Sequence, residues 1–175
     1  MQETQGFGGF NHQSGTEQVL DDGSVLVMGG DRDRPVFSSK GPNFNDVWRT
    51  TDGGRTWALV TTAPWSPRTG HKCVQLSGKI YCVGGAHQNG TTYLQHDVWA
   101  SADGKDWSRV SVDAWGCDAA APSCGKDDEL LLVRDGALWT FGGDEETGSG
   151  GKQVRRVLAG SHRVDHGKGL LRWWP

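Results

Sequence analysis

The stretch DVWRTTDGGRTW, residues 46–57, returns in altered form as DVWASADGKDW, residues 97–107. The two copies begin 51 positions apart. Three tryptophans in or just after the first copy are matched by three in the second, at offsets of 51, 50 and 50 residues: Trp48, Trp57 and Trp65 by Trp99, Trp107 and Trp115. Six of the nine tryptophans therefore belong to one pattern, which indicates a chain built from repeated units of about fifty residues.

A second marker of the repeat is a double glycine that ends an apolar segment three times. VLVMGG ends at Gly30, IYCVGG at Gly85 and LWTFGG at Gly143. Before each of them, two apolar stretches flank a dipeptide typical of a tight turn: Asp22-Gly23, Ser77-Gly78 and Asp135-Gly136. Because both positions of a two-residue hairpin turn need positive φ, these dipeptides predict three β-hairpins. A third strand through DVW and a fourth after the next glycine-rich turn complete the first two units, whereas the third unit lacks DVW.

Four strands in about fifty residues is the length of one β-propeller blade. With its double glycine and downstream tryptophan, the pattern resembles the kelch-repeat propellers over residues 15–143. We therefore predict an all-β fold of kelch-like propeller blades, each of four antiparallel strands. We divide the chain into an N-terminal segment (1–14), blade 1 (15–65), blade 2 (66–116) and a degenerate blade 3 with a basic C-terminal tail (117–175). About three blades make an incomplete ring, because propellers have about four to eight. We expect a protein partner or further copies of the chain to cover the open edges.

The quoted stretch also resembles the Asp box of sialidase-like propellers. Thr50, Asp52, Gly54 and Trp57 match the motif, and Ser101, Asp103 and Trp107 match it in a copy that is one residue shorter. The resemblance implies a structural role. An aspartate can accept backbone N–H groups across a turn, glycine takes positive φ, and tryptophan buries a large area over the hairpin.

Composition and charge exclude some classes of protein. The net charge is −3, but residues 147–175 hold six Lys or Arg and one acid, so the body is acidic and the tail is basic. A solvated tail is the simplest interpretation, and nucleic-acid binding is not expected because stacking aromatics are not interleaved with the basic residues. No apolar stretch approaches the ~18 residues needed to span a membrane. Residues 1–5 have no basic start, so we expect no secretory signal in this chain.

The four cysteines predict two local disulfides. Counting outward from the Ser77-Gly78 turn sets Cys73 opposite Cys82 at a non-hydrogen-bonded pair, where side chains come closest. Cys117 and Cys124 lie seven residues apart in a loop and could close a small ring. Such bridges imply an extracellular or secretory-lumen location, which the glycosylation sequon at Asn89 also favours. Four reduced thiols are the alternative; a zinc site is disfavoured by the spacing.

No catalytic constellation emerges from the sequence, and we expect no cofactor or bound metal. A galactose-oxidase-like copper site needs two histidines and two tyrosines, one of them cross-linked to a cysteine. Tyr81 stands beside Cys82, which is already placed opposite Cys73, and His87 and His96 share one predicted loop. A sialidase needs an arginine cluster, which Arg32 and Arg34 match only faintly. A fragment of a secreted propeller enzyme, with its active site mostly elsewhere, remains the alternative to a binding protein.

Two variable loops are the predicted recognition surface. They follow the first two double glycines, at residues 31–45 and 86–96, and in a propeller such loops project on one face. Their candidate binding residues are Phe37, Phe44, His87, Tyr93 and His96. We predict a non-catalytic binding or assembly module that contacts a protein or a glycan through these loops. The alternative is that the loops are merely tolerated insertions.

Overall fold

The computed structural model describes residues 15–31, 43–88, 92–112, 114 and 125–143, and the backbone of short strands at 145–146, 153–154, 161–164 and 171–174. These residues form strands, turns and loops, with no helix among them. In chain order the strands are β1 (Thr16–Val19), β2 (Val25–Asp31), β3 (Asn43–Thr50), β4 (Ala58–Thr62), β5 (Lys72–Leu76), β6 (Lys79–Val83), β7 (Ala86–Gln88), β8 (Thr92–Leu94), β9 (Val98–Ser101), β10 (Trp107–Ser111), β11 (Leu130–Arg134), β12 (Ala137–Phe141), β13 (Glu145–Glu146), β14 (Gln153–Val154), β15 (Ser161–Val164) and β16 (Leu171–Trp174).

Twelve of these strands form three antiparallel sheets with the same internal order. Sheet 1 is β1-β2-β3-β4, sheet 2 is β5-β6-β9-β10 and sheet 3 is β11-β12-β15-β16. The hairpins β7–β8 and β13–β14 lie between the second and third strands of sheets 2 and 3 in the chain. The predicted all-β class with four antiparallel strands per unit is confirmed. The third unit lacks a DVW motif, yet its third strand β15 pairs with β12 through Leu138 and Val164.

Two of the three hairpin turns have the predicted form. Ser77 and Gly78 have φ of 52° and 72°, and Asp135 and Gly136 have φ of 52° and 69°. Positive φ at both central positions is what a type I′ turn requires. These two-residue turns fix the register of β5 on β6 and of β11 on β12.

The two-residue turn predicted at Asp22-Gly23 is wrong, because the loop is one residue longer. The N–H of Leu20 donates to the carbonyl of Ser24 at 2.8 Å, and the N–H of Gly23 donates to the carbonyl of Leu20 at 2.9 Å. Within this loop only Gly23 has positive φ, 79°. The Asp22 carboxylate accepts the N–H and the hydroxyl of Ser24, at 2.9 and 2.6 Å. This local bonding stabilises a three-residue loop with a left-handed glycine at its end.

The sheets pack face to face, and each has two distinct faces. We call B the face that carries the residue just before the double glycine (Met28, Val83 or Phe141), and A the opposite face. Between sheets 1 and 2, the B-face residues Leu26, Met28 and Val47 form an apolar core with the A-face residues Ile80 and Cys82. Trp65 joins this core and contacts the rings of Trp99 and Trp107 edge-on, at centroid distances of 5.9 and 4.5 Å.

The second core repeats this arrangement one sheet further along the chain. Tyr81, Val83 and Val98, on the B face of sheet 2, pack with Leu131 and Leu138, on the A face of sheet 3. Both internal junctions therefore join a B face to the A face of the next sheet. The three sheets are stacked head to tail.

The predicted disulfide between Cys73 and Cys82 is present. The two residues are directly paired across β5 and β6, with Cα atoms 4.2 Å apart. This short separation is typical of a non-hydrogen-bonded antiparallel pair, so the bond needs no change of backbone. The predicted Cys117–Cys124 bridge lies outside the described residues. In the part of the chain that the structure describes, no helix is long and apolar enough to cross a membrane.

Candidate functional site

The turn after β3 is closed by its own side chains. The Asp52 carboxylate accepts the N–H groups of Arg55 and Thr56, both at 2.9 Å, and the Thr56 hydroxyl at 2.6 Å. The bonds from Thr56 hold the pKa of Asp52 below its ordinary value. The Thr50 hydroxyl accepts the N–H of Gly54 at 2.9 Å, and the indole N–H of Trp57 donates to the carbonyl of Gly54 at 3.2 Å.

The matching turn after β9 repeats most of these bonds, but Asp106 replaces Thr56, so there is no hydroxyl bond to the aspartate from that position. The Asp103 carboxylate accepts the N–H groups of Lys105 and Asp106, at 2.8 and 2.9 Å. The hydroxyl of Ser101 accepts the N–H of Gly104, and Trp107 donates to the carbonyl of Gly104 at 2.9 Å. Both oxygens of Asp52 and one oxygen of Asp103 accept hydrogen bonds within their own turns, an arrangement that supports a structural role. The assignment of these turns to the Asp box stays a prediction.

The second turn also lies over the junction between two sheets. Gly104 has φ of 77°, and a Cβ at this position would stand 2.7 Å from Cδ1 of Leu26 in sheet 1. Glycine suits this left-handed backbone conformation, and a larger residue would have to displace the Leu26 side chain. The turn of the second unit helps to cover the core between sheets 1 and 2.

The DVW motif contains an aspartate and a tryptophan that bond to each other. The indole N–H of Trp48 donates to Asp46 at 2.8 Å, and that of Trp99 donates to Asp97 at 2.7 Å. In the second unit the aspartate also accepts Arg68, a residue that the sequence analysis did not single out. DVW is thus a local unit in which the indole orients the carboxylate.

Arg68 is buried, and its guanidinium group donates hydrogen bonds to oxygen atoms of three other residues. It donates to both oxygens of Asp97, at 2.6 and 3.1 Å, to the carbonyls of Ser66 and Gly84 at 3.1 and 2.9 Å, and to the Ser66 hydroxyl at 3.2 Å. Burial raises the pKa of Asp97, but the hydrogen bonds and the charge of Arg68 outweigh it and leave the pKa below its ordinary value. The two side chains form a bidentate ion pair within the second repeat, residues 66–116.

Two further buried polar side chains were missed by the sequence analysis. His71 is 1% exposed and Glu129 is 0% exposed, and neither side chain has a hydrogen-bond partner among the described residues. Burial first, and then the charges of Arg68 and Lys72, lower the pKa of His71 to about 3. Burial raises the pKa of Glu129 to about 8. Both groups are therefore uncharged near neutral pH.

A regular spacing in the sequence could have identified His71 and Glu129. His71 and Glu129 are 58 positions apart, as are Arg68 and Lys126, and this is also the distance between the second and third double glycines. The side-chain amine of Lys126 donates to the carbonyl of Gly142 at 3.3 Å, much as Arg68 donates to that of Gly84. The same two places in consecutive units therefore carry buried polar residues.

The double glycines lie at the junctions between units. The N–H of Gly30 donates to the carbonyl of Arg68 at 2.8 Å, and the N–H of Gly85 donates to that of Lys126 at 2.7 Å. A Cβ on Gly85 would stand 2.8 Å from both the Cβ of His71 and the carbonyl oxygen of Thr69. Each of these glycines lets the start of a following unit approach the backbone closely.

The predicted loop at residues 86–96 contains a hairpin of its own. His87 is paired with Tyr93 across β7 and β8, and Nδ1 of His87 lies 2.6 Å from the carbonyl oxygen of Pro67. Tyr93 is 44% exposed. Gln95 ties the end of the hairpin back, because its N–H donates to the carbonyl of Gly85 at 2.7 Å. Half-buried His96 follows, and its carbonyl accepts the N–H of Ala114 at 2.6 Å.

The other predicted binding residues are placed differently. Phe44 lies in β3, paired with Gly30, and not in a loop, because β3 begins at Asn43. Its carbonyl accepts the N–H of Arg68 at 2.9 Å. Phe37 and the sequon residue Asn89 lie outside the described residues, as do Arg32 and Arg34. The structure therefore groups His87 with Tyr93 and places Phe44 at the junction of units 1 and 2.

The described residues can be compared with the ligand sets of the enzyme classes considered above. No group of three or more His, Cys, Asp or Glu side chains there is arranged to hold a metal ion. Tyr81 is buried, which raises the pKa of its hydroxyl, and its neighbour Cys82 is held in the disulfide with Cys73. A tyrosine–cysteine cross-link at residues 81 and 82 is therefore not available while that disulfide is intact.

Comparison with known proteins identifies a shared fold and no more. No protein-family profile and no curated protein matches this chain. A solved structure titled "Structure of YjhT" is similar, with a TM-score of 0.52 and 18% sequence identity over 78% of this chain. The match covers 35% of that chain, so the present chain spans about a third of its length. Identity this low shows a likeness of fold and carries no statement about activity.

Proposed function

We propose that this chain is a segment of a kelch-type β-propeller and that it acts as a non-catalytic binding module. The head-to-tail packing of three equally ordered four-stranded sheets supports the propeller, because propellers repeat such sheets around an axis. The close approach of successive units at the double glycines supports the kelch-type repeat.

The observation that carries the binding function is the β7–β8 hairpin. It is separate from the four-stranded sheet and presents the exposed ring of Tyr93. The bond of His87 to Pro67 and that of Gln95 to Gly85 anchor the two strands of the hairpin at its base. A rigid aromatic ring costs little conformational entropy to bind and offers both an apolar face and a hydroxyl. Such a ring suits contact with a sugar face or with a protein.

Binding to an array of neutral and sialylated oligosaccharides tests the glycan partner. Tyr93→Ala should abolish a signal that Lys105→Ala retains, because Lys105 is exposed on a turn remote in sequence from the hairpin. A photo-crosslinking residue at position 93 tests the protein partner, with the same residue at position 105 as control. Absence of any glycan signal, together with absence of a crosslink specific to position 93, would refute the proposal.

A second candidate function is catalytic, and Glu129 favours it. Glu129 is a fully buried carboxyl group whose pKa burial raises to about 8, and strongly shifted pKa values occur most often at functional sites. The chain would then be part of a secreted sialidase-like or galactose-oxidase-like propeller. Hydrolysis of a fluorogenic sialoside, or peroxide release from galactose, that is lost in Glu129→Gln would replace the binding proposal.

The environment we propose is an extracellular or secretory compartment. The Cys73–Cys82 disulfide is consistent with oxidising conditions. Glycosylation at Asn89, one residue past β7, would agree with that location. Secretion in a eukaryotic host followed by intact mass measurement tests this: removal of N-glycans should lower the mass, and Asn89→Gln should not change on the same treatment.

A further inference from the structure

We infer that Gln95 positions Tyr93 for binding, and that Gln95 takes its own orientation from Arg68 through the hydroxyl of Ser66. The inference deepens the proposed binding function and rests on it, because Tyr93 is the side chain proposed to contact the partner. Gln95 is half-buried and directly follows β8, the second strand of the hairpin. It therefore lies where the hairpin returns to sheet 2.

All four polar groups of Gln95 form hydrogen bonds, each with a different residue. Its N–H donates to the carbonyl of Gly85 at 2.7 Å, and its carbonyl accepts the N–H of Lys126 at 3.2 Å. Its side-chain oxygen Oε1 accepts the hydroxyl of Ser66 at 3.1 Å, and Nε2 donates to the carbonyl of Tyr93, also at 3.1 Å. Gln95 thus connects the hairpin to the double glycine of the second repeat and to the start of the third.

The direction of the side-chain bonds is determined at both ends of the Gln95 amide. A guanidinium can only donate, and Nη2 of Arg68 donates to the Ser66 hydroxyl at 3.2 Å, so the hydroxyl proton is left for Oε1 of Gln95. A main-chain carbonyl can only accept, so the amide group beside the carbonyl of Tyr93 must be the NH₂ group. A flipped amide would place Oε1 against that carbonyl oxygen. Both ends therefore require the same orientation.

Arg68, at the start of this chain of bonds, is itself held in one place. It is buried and donates to both oxygens of Asp97 and to the carbonyl of Gly84. Hydrogen bonds that involve a charged group are stronger than neutral ones, and linked hydrogen bonds polarise one another. The buried ion pair therefore orients the Ser66 hydroxyl, and the hydroxyl orients the amide of Gln95.

The first strand of the hairpin is held by the same segment, residues 66–68. Nδ1 of His87 lies 2.6 Å from the carbonyl oxygen of Pro67, and His87 is paired directly with Tyr93. Because Tyr93 is partly exposed, the direction in which its side chain leaves the protein depends on the backbone that these bonds hold. A side chain that is already positioned loses less conformational freedom on binding.

Fluorine NMR of the protein labelled with 3-fluorotyrosine tests this inference without any partner. The chain has two tyrosines, and buried Tyr81 is the internal reference for Tyr93. Gln95→Glu keeps the side-chain length and an acceptor for Ser66 but replaces Nε2 by an oxygen atom. It should shift and broaden the resonance of Tyr93 and leave that of Tyr81 unchanged. Amide hydrogens in the peptide that contains Tyr93 should exchange about tenfold faster, as expected for the loss of one hydrogen bond.

A second variant and a matched control separate the steps of the argument. Ser66→Ala keeps the main-chain carbonyl that accepts Arg68 but removes the hydroxyl, and it should also shift the Tyr93 resonance. Combined with Gln95→Glu, it should add little, because both changes act on one chain of bonds. Gln18→Glu is the control, since Nε2 of Gln18 also donates to a nearby main-chain carbonyl, at 2.6 Å, and it should leave both tyrosine resonances unchanged.

An unchanged Tyr93 resonance in Gln95→Glu would overturn the inference, and so would an equal change in Gln18→Glu. A change in Gln95→Glu with none in Ser66→Ala would refute the orienting part of Arg68 and Ser66. Circular dichroism checks the folding of each variant, and Ser66→Ala carries the test if Gln95→Glu does not fold. A Tyr93 that Gln95 positions but that binds neither glycan nor protein would refute the proposed function alone, so the two failures are distinguishable.

Discussion

Arg68 donates to both carboxylate oxygens of Asp97, at 2.6 and 3.1 Å, while Asp97 also accepts the indole of Trp99 at 2.7 Å. Asp97 directly precedes β9, the third strand of sheet 2, and Arg68 lies before β5, its first strand. The pair therefore joins the segment before the first strand of sheet 2 to the DVW motif of its third strand. Because Arg68 also donates to the carbonyl of Gly84, the double glycine is held in the same network.

Removal of the arginine should destabilise the protein strongly. We expect Arg68→Ala to lower the free energy of unfolding by about 3 kcal/mol, because the carboxylate of Asp97, only 15% exposed, then loses its charged partner. Arg68→Lys should recover only part of the loss, because an ammonium cannot bond to both carboxylate oxygens in the same fork. Urea unfolding at pH 7 measures all three proteins.

The Arg49–Asp22 ion pair supplies a control for that measurement. Its side chains are 31% and 58% exposed, so Arg49→Ala should cost no more than about 1 kcal/mol. Equal losses for Arg49→Ala and Arg68→Ala would show that burial of the Arg68–Asp97 pair has no energetic consequence.

The buried Glu129 should make stability fall as the pH rises. Its pKa is about 8 in the folded protein against an ordinary 4.5, so between these values the folded state holds a proton that the unfolded chain has released. The free energy of unfolding then decreases with pH through this window. His71 acts at lower pH, because its pKa falls from 6.5 to about 3 and stability decreases as the pH drops below 6.5.

The interval from pH 6.5 to pH 8 therefore isolates Glu129 from His71. Urea unfolding across this interval should show a downward slope for the wild type and a flatter line for Glu129→Gln. Asp135→Asn, whose side chain is 79% exposed, is the control and should retain the wild-type slope. An unchanged slope in Glu129→Gln would mean that Glu129 is ionised in the folded protein.

Replacing a glycine by alanine should lower the free energy of unfolding more at a junction between units than at an open turn. Gly23 has φ of 79° and nothing within 4 Å of an added Cβ, so Gly23→Ala should cost only the backbone strain of about 1–2 kcal/mol. Gly85 has φ of 95° and an added Cβ would contact His71 and Thr69 at 2.8 Å. Gly85→Ala should lose about 1–3 kcal/mol more, from overpacking. Thermal or urea unfolding compares the two, and equal losses would refute the close junction.

The Cys73–Cys82 disulfide should contribute about 2–3 kcal/mol, because it closes a short loop, with a sequence separation of 9. Cys73→Ala/Cys82→Ala should show that loss, measured by urea unfolding. A dithiol reductant should destabilise the wild type more than this double variant, because only the wild type has the bridge to lose. Since Cys82 packs in the same core as Trp65, tryptophan fluorescence reports the reduction directly. Equal stability of wild type and variant would contradict the prediction.

Much of the secondary structure and one covalent bond follow from the sequence alone. Ser77-Gly78 favours a two-residue turn by its backbone preferences, and that turn sets the register that brings Cys73 opposite Cys82. The same local logic applies to Asp135-Gly136. It failed at Asp22-Gly23, because the Asp22 carboxylate bonds to Ser24 and stabilises a longer loop. Local interactions within a few residues decide all of these features, so a linear pattern can reveal them.

The candidate site and the burial of each sheet face depend on tertiary structure. Arg68 and Asp97 are 29 residues apart, and no local pattern predicts that a guanidinium will be buried against that carboxylate. Likewise, β-strand alternation shows that Phe141 and Leu138 point to opposite sides, but not which side meets another sheet. Only the packing of sheet 3 on sheet 2 buries Leu138 and leaves Phe141 exposed. Burial and electrostatics depend on contacts between units, and those contacts exist only once the sheets have stacked.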